Sequence, residues 1–297
     1  MRYFEHLGAL CLLAVVAGAT GCAPESSPPQ RDFHFCSGAQ ALTDDGQDGE
    51  TLANGTVVLT FDQGPAERTW ELSDYLHQEG IAATFFVNGK SVDGREWALQ
   101  KMMDDGHLIG NLTETHTALT NLTTQEIIDE VAQTDAKILP FVPSGKFFLR
   151  APYAAWTSNE RKALDGSAMK KYVGPIGWEI GSSLSANSAA DFQCWDDDHQ
   201  LDVETCGDLY FKEITTKKKG IVLMHDGPID VPNGPTVDMV KYLVPKLKAA
   251  GYTFARVDQV PAPRPPANQL PPEAPAQNAG DAEQPPIPSN DPCAGRR

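Results

Sequence analysis

Five residues carry most of the chemistry this sequence can offer: Asp62 in "TFDQGP", His116 in "NLTETH", Arg150 in "FFLRAPY", Trp178 in "YVGPIGW" and His225 in "IVLMHD". A carboxylate, a guanidinium, two imidazoles and an indole brought to one rim suit acid/base chemistry on a polar substrate. Asp62 closes the apolar run "TVVLTF" just before a turn through Gly64 and Pro65. A carboxylate at the end of a buried strand is costly to desolvate unless something uses it.

The elements that must position these residues follow from the apolar pattern. Short apolar runs predict strands at 56–61, 83–87, 108–110, 147–150, 172–178, 221–225 and 253–257. Between them lie helical stretches that include "AERTWELSDYLHQEG", "TTQEIIDEVAQTDAKIL" and "TVDMVKYLVPKLKAAG". The second opens on a Thr123-x-x-Glu126 capping-box pattern, and the first and third end at Gly80 and Gly251. Strand then helix, repeated, is the rhythm of a parallel α/β fold, either a barrel or a doubly wound sheet. In both, chemistry collects at the C-terminal ends of the strands. Asp62, Asn111, Arg150, Trp178 and His225 all fall at or just beyond such ends.

The chain has 297 residues and a net charge of -16 from 40 acidic and 24 basic side chains, with "KKK" at 217–219 its one notable basic cluster. Such an acidic balance argues against nucleic acid as a partner and against electrostatic docking on anionic lipid. The segment "MRYFEHLGALCLLAVVAGATGC" reads as a secretory signal, too short to span a bilayer. Its end, Ala19-Thr20-Gly21-Cys22, resembles a bacterial lipoprotein signal. That resemblance implies acylation at Cys22 and a secreted lipoprotein of the cell envelope, at the outer membrane or the periplasmic face; the alternative is an ordinary signal cut near the same place. Residues 23–50, beginning "APESSPPQ", have the composition of a flexible tether, 51–260 form the domain, and 261–297 are a Pro-rich tail expected to be extended and solvated. With Cys11 removed and Cys22 lipidated, Cys36, Cys194, Cys206 and Cys293 remain. Four cysteines allow three connectivities. The short loop "CWDDDHQLDVETC" makes Cys194 with Cys206 the expected pair, leaving Cys36 with Cys293.

Six stretches in order, "TFDQGP", "ATFFVNG", "GHLIGNLTETHTAL", "RAPYAAW", "DFQCW" and "IVLMHD", resemble the polysaccharide deacetylase family, also called the NodB homology domain or carbohydrate esterase family four, over roughly residues 55–258. The resemblance implies a distorted (β/α) barrel that hydrolyses acetyl groups from chitin, peptidoglycan or related glycans. It makes Asp62 the general base, Arg150 the group that orients it, and the peptide N–H of Tyr153 the oxyanion donor. It places Asp191, followed by Phe192, beside the acid, with Glu179 a second candidate, and makes His225, with Leu223 before it, the general acid. Trp178 and Trp195 are either sugar-stacking platforms or packing, and His107 is structural.

The family's zinc-type ligands are an Asp and two His, which align with Gln63, Leu112 and His116, so the ion position here keeps one imidazole. A neutral amide is a poor ligand and leucine is none, so the expectation is no metal or a weakly bound divalent one, with Glu114 as a candidate substitute oxygen. A resident zinc would lower the pKa of its water from about 15.7 to about 7, which this site forgoes. Two readings stand: a glycan deacetylase with an altered site, or a noncatalytic descendant binding glycan or an envelope partner. In both, the membrane is reached through the lipid anchor alone.

Overall fold

Alternation along one strand divides the molecule into an inside and an outside. In the computed structural model, which describes residues 46–143, 145–227 and 235–261, β1 (Thr56–Asp62) turns Val57, Leu59 and Phe61 toward a large apolar layer under the helices. The alternate residues Val58, Thr60 and Asp62 face the other way, as the period of two in a strand requires.

β1 is central. β6 (Gly220–His225) pairs with it along its length, while β2 (Thr84–Val87) and β7 (Thr253–Ala255) share its other edge, end to end. β3 (Leu108–Asn111) continues beyond β2. The short strands β4 (Phe147–Phe148) and β5 (Tyr172–Val173) pair with each other. Single bridges, Asn111 with Leu149 and Ile180 with Val222, join that pair to β3 and β6 and close the ring. All the pairings are parallel, so the fold is a distorted (β/α) barrel, the first of the two expected architectures. Its interior is a compact apolar plug of Val58, Phe86, Leu108, Leu112, Phe148, Ile176 and Ile221.

The helices are α1 (Thr69–Gln78), α2 (Gly89–Val92), α3 (Glu96–Asp104), α4 (Thr124–Ile138), α5 (Ser158–Asp165), α6 (Asp191–Cys194), α7 (Val203–Lys217) and α8 (Thr236–Ala249). The capping box read at the start of α4 is present: Glu126 accepts from the Thr123 N–H, and the Thr123 hydroxyl accepts from the Glu126 N–H. α1 and α8 end one residue before the turns containing Gly80 and Gly251, both at positive φ.

Two predicted strands shrink to two residues each. The run 172–178 breaks at Gly174-Pro175, because Pro175 has no N–H to give a ladder. The run 147–150 stops as Leu149 makes only a bridge and Arg150 turns its side chain inward.

The tether boundary also moves. Gln47 bridges to Ile176, and the Gly49 N–H donates to Glu179 at 2.9 Å, so residues 47–50 belong to the barrel. Cys194 and Cys206 form the expected disulfide, both buried. Cys22 and the signal, residues 23–45 with Cys36, and the tail 262–297 with Cys293 lie outside the described residues. Among the described residues, no helix is long and apolar enough to cross a membrane.

Candidate active site

Asp62 ends β1 on the inward face, and Arg150 follows β4 to meet it. Arg150 is fully buried, and its Nη1 donates to Asp62 Oδ1 at 2.7 Å and to Thr60 Oγ1 at 2.8 Å. Nε and Nη2 donate to the carbonyls of Ile176 and Gly177, and the Phe86 ring lies 4.3 Å from the guanidinium carbon. The guanidinium is therefore immobilised, as a buried charge must be. Burial pushes the Asp62 carboxyl up, against the opposing pull of Arg150 and His225.

His225 ends β6 and is held by Asp191, the first residue of α6. Its ring Nδ1 lies 2.8 Å from Asp191 Oδ1, and its backbone N–H donates to Asp191 Oδ2 at 2.7 Å. Burial alone would lower the imidazole pKa; the charge and hydrogen bond of Asp191, helped by Asp62, outweigh it and raise the net value. The family-derived alternative Glu179 is elsewhere: it accepts from Gly49 and Ile221 N–H groups and staples the N-terminal segment to β6.

Asp62 and His225 are register partners across β1 and β6. Adjacent strands lie about 4.8 Å apart, and paired residues point to the same face. A carboxylate and an imidazole thus stand side by side at one strand-end rim.

The third wall is the loop after β3. Asn111 fixes it, donating to Val131 O and accepting from the Thr113 N–H through Oδ1. His116 is largely buried against Tyr153, with ring centroids 4.7 Å apart. Burial drives its pKa down to about 4, so it is neutral at physiological pH, and its Nδ1 has no hydrogen-bond partner. Gln63, Thr113, His116, Tyr153 and Ala154 all have positive φ between 54° and 71°. Non-glycine residues seldom adopt that region, and where they do it tends to be at functional rims.

The donors here do not fit a resident divalent ion. Leu112 is fully buried in the barrel plug, Gln63 offers a neutral amide, and Glu114 is committed to Lys137 at 2.7 Å and to the Thr134 hydroxyl. Among the described residues, no three His, Cys, Asp or Glu side chains come together as a metal site.

The remaining sequence candidates divide. Trp178 lies 5.2 Å from the guanidinium carbon of Arg150 and donates to Ser182 Oγ. Trp195 packs against the outer apolar layer and donates to Thr236 Oγ1, which is the packing side of that alternative. Leu223 is buried on the inward face of β6, its carbonyl accepting from the Tyr210 hydroxyl. His107 is structural: it accepts from the Ala83 N–H at Nδ1 and donates to Ser73 O. Thr60, Tyr210 and Thr236 escaped the sequence reading. Thr60 alone had a signal, lying two residues before Asp62 and so on the same strand face.

Comparison with other proteins points the same way as the fold. The family model for Polysaccharide deacetylase matches residues 49–170. The chain is 33% identical over 120 residues to a chitin deacetylase of Arthroderma benhamiae, covering 39% of this chain and 32% of that protein. It is 26% identical over 227 residues to a chitooligosaccharide deacetylase of Bradyrhizobium sp., covering 71% of this chain and 93% of the relative. It thus spans about a third of the first relative and nearly all of the second. The solved structure of T48 deacetylase with substrate superposes with a TM-score of 0.54 at 32% identity, over 70% of this chain and 90% of that one. The chain belongs to the polysaccharide deacetylase family.

Proposed function

We propose that this protein is a cell-envelope lipoprotein, anchored through Cys22, whose barrel hydrolyses acetyl groups from a glycan of the chitin or peptidoglycan kind by an altered, metal-poor version of the family reaction. The observation that supports it is the survival of both buried pairs, Asp62 with Arg150 and His225 with Asp191, at register partners on one rim. A binding-only cleft has no need of a carboxylate base and an imidazolium acid, each clamped from behind.

In this reading Asp62 takes a proton from water as the water oxygen bonds to the acetyl carbon. The carboxyl is the better base for being desolvated. The carbonyl oxygen gains the negative charge and is met by the peptide N–H of Tyr153 on the loop facing His116. The bond from the acetyl carbon to the sugar nitrogen or oxygen then breaks, and the proton on His225 passes to that leaving atom, releasing acetate. Arg150 orients the base, Asp191 the acid, and Trp178 and Leu223 border the sugar. A first test is acetate release from acetylated chitin fragments by the wild type and by Asp62→Asn. Equal rates in the two proteins would sink the catalytic reading.

A second reading, a noncatalytic binder of acetylated glycan or an envelope partner, is favoured by the family resemblance, which aligns Gln63 and Leu112 with two of the three ligand positions. Under it the protein retains acetylated glycan and releases no acetate.

A further inference from the structure

The Asp191 carboxylate receives four hydrogen bonds. The Phe192 N–H and His225 Nδ1 reach Oδ1 at 2.9 and 2.8 Å; the His225 N–H and the Thr236 hydroxyl reach Oδ2 at 2.7 and 2.9 Å. A carboxylate has about four lone-pair sites, so none is left over. The Thr236 hydroxyl, on the first residue of α8, is buried and itself accepts from Trp195 Nε1 at 3.1 Å.

That last bond fixes a direction. An indole N–H is a donor and nothing else, so it occupies a lone pair of the threonine oxygen and leaves the single hydroxyl hydrogen for Asp191. The bonds from Trp195 to Thr236 and from Thr236 to Asp191 run one way, the first strengthening the second in a dry interior, and they end on a carboxylate whose charge His225, a donor from the other side, must share. The backbone of Asp191 is held as firmly: its N–H donates to the Tyr210 hydroxyl, which donates to Leu223 O.

We propose that Thr236 is a positioning residue for His225, acting through Asp191: its hydroxyl holds Oδ2 so that Oδ1 meets the imidazole Nδ1, and it draws off part of the charge that would otherwise bind the imidazolium proton too tightly. The assignment of His225 as the acid rests on the function proposed above; the clamp does not. The other charged or titratable groups facing His225 are Asp62 from β1, Arg150 after β4 and His116 from the β3 loop, while Asp226 turns away to accept from Thr69. None of them touches Thr236 by hydrogen bond, so a change at Thr236 reaches His225 by way of Asp191.

The test compares Thr236→Val and Thr236→Ser in the full chain, with isotope-labelled histidine titrated by NMR and acetate release from acetylated chitin fragments measured beside it. Valine keeps the shape and loses the hydroxyl. It is expected to raise the His225 midpoint by about half to one pH unit, the size of one hydrogen bond, and to slow acetate release about three- to tenfold at unchanged KM. Serine is expected to restore both. A wild-type midpoint in the valine variant, or a serine variant as displaced as valine, overturns the proposal. If the wild type releases no acetate, the catalytic reading fails while the titration still decides the role of Thr236.

Discussion

Asp62 and His225 face each other across two parallel strands, and each is gripped by a separate buried partner. The two grips come from distant parts of the chain, Arg150 after β4 and Asp191 on α6. The positions of Asp62 and His225 are therefore set by closure of the ring rather than by any local turn.

The Arg150 grip is expected to show in stability. Arg150→Met leaves the Asp62 carboxylate buried without its counter-charge, and breaking such a pair typically costs about 3–5 kcal/mol. Chemical denaturation should show that loss, and adding Asp62→Asn should recover part of it, because the two residues are coupled. Equal losses in the single and double variants would contradict the pairing.

Asp226 gives a pH signature. Its carboxyl accepts from Thr69 through one oxygen, the other is buried and unpaired, and Gly64 packs so close that any side chain there would collide with it. Burial pushes its pKa up from 3.8 to about 7. A raised folded-state value means the fold holds the proton more tightly than the unfolded chain. The stabilisation is then full below pH 3.8 and lost as pH rises through 7. At about 1.4 kcal/mol for each pH unit, the loss is on the order of 4 kcal/mol. Denaturation at pH 5 and pH 8 should show Asp226→Asn losing less stability than the wild type over that interval; parallel losses would refute it.

How much of this was legible in the sequence depends on the range of the interaction. The strand at 56–61 and its inward Asp62 could be read from alternation, and the start of α4 from Thr123 and Glu126, because both signals are local. The Asp62–Arg150 and Asp191–His225 pairings came through family motifs, since nothing in the residues themselves says which of many charges will meet. Thr236 and Tyr210 were invisible: a threonine opening a helix and a tyrosine in an amphipathic one look like ordinary cap and core residues until α7 and α8 are docked. Strand length after residue 147 was misjudged for two reasons: the local signal of Pro175, which lacks an N–H, was passed over, and the inward turn of Arg150 matters only once the ring is built.

The disulfide supports the same region. Cys194 ends α6, three residues after Asp191, and bonds Cys206 across a separation of 12 residues. Closing a loop of that size stabilises by about 3 kcal/mol. The Cys194→Ala, Cys206→Ala variant should lose about that much in denaturation and also shift the His225 NMR signals, since α6 carries its partner. Unmoved His225 signals would show that α6 is held without the bond.

Installing the ligand set that the family resemblance implies tests the proposed metal-poor site. Gln63→Asp with Leu112→His supplies the family set around His116, and calorimetry should detect tight zinc binding in that variant and weak or no binding in the wild type. Tight binding by the wild type would show a ligand set other than the one described.

The most direct measurement is acetate release by the full chain from acetylated chitin fragments and peptidoglycan, with Asp62→Asn beside the wild type, in chelator and again in added zinc. Release by the wild type that survives chelator and disappears in Asp62→Asn is the predicted result. Silence from the wild type in every condition, with acetate appearing only after Gln63→Asp and Leu112→His in zinc, would contradict the catalytic reading and leave a glycan-binding barrel in its place.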